Sequence, residues 1–348
     1  MKAILTSLIL LTSISARAQS PATVSTGADG ALELTTPGTV VFNPHSFNPP
    51  LNPSEDNVFQ FTTIHVGKDV TVKLSSKNLN GTVFWLTSGS VQIDGTIDLS
   101  GDDGGARPSV AGAGGFPGGA PQSSGYGPAG FILNAFLVPL VGGSGGNGGD
   151  TQGGGAGGGA LLIASSTSIT INGNIIANGG SSSGGLGGNG GALRLVAPSI
   201  NGSGGTISAR GGQPNGADGA VRFESSDNRF QGTINTGHVF RGRPLGLFLP
   251  PNPPPSVRIE SINGVLLTTQ EFTTNQPSLI TVAVGARNIP TGTVVELQCF
   301  SQSGQNQTIK TSPLTGTLEH SQATAVAPFP KGVSRCFATA EWTPPPLR

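Results

Sequence analysis

The sequence predicts an all-β protein: a parallel, right-handed β-helix with glycine-rich loops, followed by a small immunoglobulin-like β-sandwich. Three observations carry this. Short apolar alternations of strand period recur in one order at the spacing of solenoid repeats. Glycine is abundant, 56 residues of 348, while aromatic residues make up only 5%, too few for a thick globular core and compatible with a thin, repeated one. The last quarter then changes to denser alternation with two cysteines.

The elements follow in order. Residues 1–18 combine Lys2, an apolar run over residues 3–14 and the triplet Ala16-Arg17-Ala18. This is the pattern of a secretory signal peptide, with cleavage expected between Ala18 and Gln19. Residues 19–60 begin with short strands and then pass through a Pro- and Asn-rich run that breaks periodicity. An N-terminal cap is expected there, because open solenoid ends expose strand edges. Residues 61–249 are the β-helix. The segments GALLIASSTSITINGNIIANGG from Gly159, GALRLVAPSINGSGGTISARGG from Gly191 and GAVRFESSDNRFQGTINTG from Gly219 repeat one pattern. An apolar triplet (Leu161 and Ile163; Leu193 and Leu195; Val221 and Phe223) is followed by a polar corner and a second strand around Ile175, Ile207 or Ile234. An earlier copy from Gly81 places Val83, Trp85, Ile93 and Ile97 in the same slots. Glycine is expected at the corners, where positive φ is needed. An antiparallel sandwich is the alternative, since Asp94-Gly95 and Asn172-Gly173 match hairpin turns. Both dipeptides fall at the same place in the repeat, which a coil corner explains equally well.

Residues 101–158 interrupt the repeat with runs such as GGSGGNGGDTQGGGAGGG, broken by an apolar patch over residues 131–141. Such a tract buries too little to offset its ordering entropy alone. It is expected as loops projecting from one side of the coil with the apolar patch docking back, or as extended polyproline-II-like chain laid on the solenoid. Residues 250–255 are a stiff Pro-rich linker. Residues 256–343 alternate at strand period between turn signals and describe the sandwich, with Cys299 and Cys336 as a disulfide and Trp342 in its core. Closing that loop stabilises the module by at most about 4 kcal/mol in the chain-entropy model.

Charge is sparse and balanced, 18 basic against 18 acidic side chains, so nothing steers the chain toward nucleic acid or an anionic membrane. After the signal segment no apolar stretch is long enough to cross a bilayer, so no membrane insertion is expected. The cysteines fit an oxidising compartment. Secretion, to the extracellular space or cell surface, or to the periplasm, is the expected destination.

The search for chemistry finds one acidic cluster, Asp94, Asp98, Asp102 and Asp103 in IDGTIDLSGDDGG. Paired carboxylates can serve as acid and base on a glycosidic bond or bind Ca²⁺. Asp at corners also caps turns with its own side chain, which is the more common use. Gly145–Asp150 matches six positions of a Ca²⁺-binding nonapeptide, but Gln152 stands where a large apolar residue is required and no tandem copy follows. The G-x-S-x-G strings at 142–146 and 180–184 lack the strand-to-helix turn of a nucleophile elbow. His45, His65, His238 and His320 have no ligand spacing, so no metal and no cofactor is expected. Asn201 and Asn306 head glycosylation sequons.

With its phrases FTTIHVGKDVTVKL, GTVFWLTSGSVQIDGTIDLSG, GAGGFPGG and GGALRLVAPSINGSGG, the repeat resembles a group of secreted, glycine-rich, uncharacterised bacterial proteins. More loosely it is similar to parallel β-helix passenger and adhesin proteins. The resemblance covers about residues 28–240 and lies in repeat style. It implies a surface location and a structural or binding role, and supplies no active site. The expectation is a secreted or cell-surface, adhesin-like protein without catalytic activity, whose partners are extracellular polysaccharide or other surface components. The alternative is a polysaccharide-active β-helix enzyme, a lyase or glycoside hydrolase, using the four aspartates.

Overall fold

The computed structural model describes residues 25–52, 56–79, 81–127, 134–244, 247, 255–267, 271–302 and 306–341. The signal segment with Ala18 and Gln19, residues 250–254 of the linker, and Trp342 lie outside the described residues. The chain is all-β, with one short 3-10 turn at Pro44–Ser46.

The first part is dominated by a large, strongly curled parallel sheet, with a second parallel sheet of six strands beside it. Together they form three ladders. Strands Val83–Thr87, Ala160–Ser165, Ala192–Val196, Ala220–Glu224 and His238–Gly242 continue the first half of Val58–Val66. Strands Val91–Ile93, Ser168–Ile171, Ser199–Gly202 and Asp227–Phe230 continue its second half. The third ladder runs through Gly38–Val41, Val70–Lys73, Thr96–Asp98, Asn174–Ile176, Thr206–Ser208 and Thr233–Asn235. Strand Gly30–Leu34 pairs in parallel with Val58–Val66. The segment expected as a cap therefore contributes strands to the ladders it precedes.

Register explains the core. Val72, Ile97, Ile175, Ile207 and Ile234 occupy one column of the third ladder. Phe59, Trp85, Ile163, Leu195 and Phe223 form a column in the first. All but the terminal Ile234 are essentially inaccessible to solvent. Each buried aliphatic side chain contributes about 1.5–3 kcal/mol, so a column one residue wide suffices when it repeats. The central strands of the first ladder do not alternate. In Ala160–Ser165 every residue is buried, because its outer face, with Phe84, Leu162, Ala164 and Val196, is covered by Leu137 and Leu140 of the apolar patch. On that same face the two guanidinium groups of Arg194 and Arg222 share the Glu224 carboxylate at 2.8 and 2.6 Å. Arg222 also donates to the Ala135 carbonyl and lies over the Phe136 ring, which ties the patch down.

The glycine tract is not a set of projecting loops. Phe116, Gly119 and Gln122 donate to the carbonyls of Gly143, Gly146 and Gly149. Gly143, Gly146 and Gly149 donate in turn to Gly158, Gly155 and Gln152, and Gly142, Gly145 and Gly148 to Gly114, Tyr126 and Ser123. Every third amide serves one neighbour, the period of an extended polyproline-II-like chain, whose backbone groups point outward and are free to bond sideways. Several such segments therefore bond into a bundle. Corner geometry is not what selects glycine here: among the described glycines between 101 and 219 only Gly114, Gly127 and Gly202 have positive φ. The reason is the absence of a Cβ. One added at Gly157 would sit 1.7 Å from the Gly143 oxygen, and at Gly149 1.6 Å from the Gly184 oxygen.

The C-terminal part holds two antiparallel sheets. Five strands lie in the order Val265–Leu266, Ser256–Ile262, Ser278–Arg287, Ser321–Phe329 and Thr315–Gly316. Four lie in the order Glu271–Thr274, Gly332–Ala340, Val294–Ser301 and Gln307–Pro313. They share one core around Phe272, Val282, Val284, Leu297 and Phe329. Cys299 and Cys336 form a buried disulfide between directly opposed residues of neighbouring strands.

Candidate functional site

Asp94 and Asp98 lie at the ends of ladder strands, Asp102 and Asp103 in the glycine tract, and each has a structural partner. Asp94 accepts hydrogen bonds from the Gln92 side chain and from the Asn172 side-chain amide at 2.9 Å. The His65 ring is 3.6 Å from the Asp94 carboxylate and 3.3 Å from that of Glu33. Asp98 accepts from the Ser100 amide and lies 3.3 Å from Lys73. Asp102 is 4.0 Å from the same Lys73, and Asp103 accepts from the Ser181 amide at 2.6 Å. These contacts satisfy the Ser100 and Ser181 backbone amides and tie Asp94 to Asn172 of the neighbouring strand connection, as turn carboxylates do. Among the described residues no group of three or more His, Cys, Asp or Glu is placed to hold a metal ion.

A different place brings polar and aromatic side chains together, and sequence reasoning did not find it. The C-terminal module docks on the glycine bundle. Arg335, almost fully buried, donates to Glu271 within its own module and through Nη1 to the Pro108 carbonyl at 2.7 Å. Phe300 and Phe337 close over Ala120. Tyr126, the only tyrosine of the chain, donates its hydroxyl to the Gln298 side-chain oxygen, with its ring 6.2 Å from that of Phe337. Beside this contact opens a cleft of about 330 Å³, lined by Ser123, Ser124, Gly125 and Tyr126 of the bundle and by Gln298, Phe300, Asn306, Gln307 and Thr308 of the module. The contacts join residues 172 and 227 positions apart. The isolated Tyr126 in a glycine tract was the one available signal.

Electrostatics at the junction follow from its packing. Burial pushes the Tyr126 phenol above its ordinary value, and the negative charge of Glu296 adds to this. Burial alone would raise the Glu271 carboxyl. The hydrogen bond and charge of Arg335, with Lys77 and Arg107 behind it, outweigh that and hold it below the usual carboxylate range. A lowered carboxyl stabilises the folded form above its unfolded pKa, and this contribution disappears as pH falls through the folded value. The docked module is therefore expected to loosen in acid, below about pH 4.3. Replacing Arg335 by alanine should loosen it at neutral pH by roughly 1–3 kcal/mol, since the Arg335 hydrogen bonds to Glu271 and to the Pro108 carbonyl are lost. Limited proteolysis between the modules as a function of pH reads both effects. Unchanged cleavage would show that the contact does not hold the module.

Comparison of the chain with protein-family models, curated proteins and solved structures finds no match. The functional reading therefore rests on geometry.

Proposed function

We propose that this chain is a secreted or cell-surface, adhesin-like binding protein without catalytic activity. In this reading the three parallel ladders are a right-handed β-helix that serves as a rigid rod. The C-terminal module is an immunoglobulin-like sandwich, locked onto the rod's glycine bundle. Recurrence of the ladder strands in one order supports the first, and the near-universal hand of parallel crossovers supports its handedness. Two antiparallel sheets over one core support the second, although the disulfide joins strands of one sheet rather than bridging two. The disulfide is compatible with export. No helix among the described residues is long and apolar enough to cross a membrane.

The observation that carries the binding role is the cleft at the docking contact, built from both parts, whereas the acidic candidates are engaged in holding the stack. Extracellular polysaccharide is the partner class it suits. The competing reading, a polysaccharide lyase or glycoside hydrolase, draws on Asp98 and Asp102, which both approach Lys73. A polysaccharide panel with and without Ca²⁺, scored for retention and released product, separates them. Retention without product is expected. Product that disappears in the Asp98→Asn, Asp102→Asn double variant would establish the enzyme instead.

A further inference from the structure

We infer that the cleft between the glycine bundle and the C-terminal module is a binding site for an uncharged sugar residue, seated against the Tyr126 ring. The inference deepens the proposed binding role and rests on it. Among the described residues no carboxylate, ammonium or guanidinium lines the cleft. A charged ligand would be desolvated there without a counter-ion, so uronic acids and phosphosugars are disfavoured. A purely apolar ligand is also disfavoured, because it would cover hydroxyls and amides without replacing their bonds to water.

Ser123, Ser124, Asn306 and Thr308 border the cleft with side chains that make no hydrogen bond among the described residues. Hydroxyl and carboxamide groups each donate and accept, which matches the mixed donors and acceptors of a neutral sugar. Tyr126, partly exposed, supplies the aromatic surface on which the apolar face of a sugar ring packs, and the largely buried Phe300 backs the wall of the cleft. The volume lies at the low end of small-molecule sites, with room for roughly one or two sugar rings. Because each module provides part of the wall, the ligand also bridges the junction and should strengthen it.

The test uses the full mature chain with neutral gluco-, galacto- and manno-configured oligosaccharides, and with uronic-acid oligomers of equal length. Binding is read by calorimetry. It is also read by ultraviolet titration of the phenol, a signal with one source because the chain has one tyrosine. At least one neutral series should bind, shift the phenol titration and protect the junction from proteolysis. Tyr126→Ala should weaken binding by roughly tenfold or more. Thr308→Arg, on the exposed side of the cleft and away from the core, should do the same while the protein stays folded. Neutral-sugar binding that survives both variants and leaves the phenol unmoved would overturn the site but leave the binding role standing. Exclusive binding of uronic acids or of peptides would overturn the ligand class. Binding of no glycan at all would overturn the inference, and product release would overturn the proposed function itself.

Discussion

Replacing Gly157 by valine is expected to unfold the glycine bundle and release the C-terminal module from it. The new Cβ would lie 1.7 Å from the Gly143 oxygen and 2.4 Å from its carbonyl carbon, both backbone atoms that cannot rotate away. The two segments must separate, which breaks bonds such as Gly157 to Phe116 and Gly143 to Gly158. Overpacking a core typically costs 1–3 kcal/mol, and here the obstacle is main chain, so about 3 kcal/mol or more is expected. Gly105 is the matched control. Nothing lies within 4 Å of a Cβ built there, and Gly105→Ala should stay within about 0.5 kcal/mol of the parent. Thermal unfolding of the two variants decides the matter. Equal stability would show that glycine is tolerated in the tract rather than required.

The second large effect is expected at Glu224. Its carboxylate is completely buried between the guanidinium groups of Arg194 and Arg222, themselves 1% and 5% exposed. Glu224→Ala leaves two like charges on adjacent rungs of the first ladder without the carboxylate they share. Loss of about 3–5 kcal/mol is expected, because an uncompensated buried charge costs far more than the intact group contributes. Converting Arg194, Arg222 and Glu224 together to leucine should by contrast be near neutral or stabilising, since the neighbouring outer face is already apolar. Urea unfolding midpoints of the single and triple variants test this. A triple variant as weak as the single one would show that the ionic group itself is needed to seat the patch over residues 134–141.

Much of the stack was legible because its signal is local. The column through Ile97, Ile175, Ile207 and Ile234 is spelled out by period-2 alternation, and register places those residues side by side. Leu161 and Ile163 read as an alternating strand, but the burial of both faces of Ala160–Ser165 was not legible, because the cover comes from residues 137 and 140. The glycine tract admits two readings from sequence, projecting loops or extended polyproline-II-like chain, and the structure has the second. Its order is written in a three-residue period, with Ser144, Asn147 and Asp150 each following two glycines and Leu186 and Asn189 repeating the pattern. At Ser144 and Asn147 the carbonyl accepts from the next segment, Asn189 and Leu186 respectively, while the glycines between fill positions with no space for a side chain. The string that resembled a Ca²⁺ nonapeptide is part of this period. The aspartates were legible as corner residues. The cleft was not, because Tyr126 meets Gln298 across 172 residues, and the proline linker read only as a spacer. No local pattern records that a module returns to the element it follows.

The central claim is that a glycine tract, hydrogen-bonded sideways, forms the rigid platform on which the binding cleft is assembled. Amide hydrogen exchange across residues 101–191 of the protein tests it most directly. The account predicts slow exchange at Gly143, Gly146, Gly155 and Gly158, comparable with the ladder strands on either side. Exchange of those amides at the rate of an unstructured chain would contradict it, and with it the cleft that the platform supports.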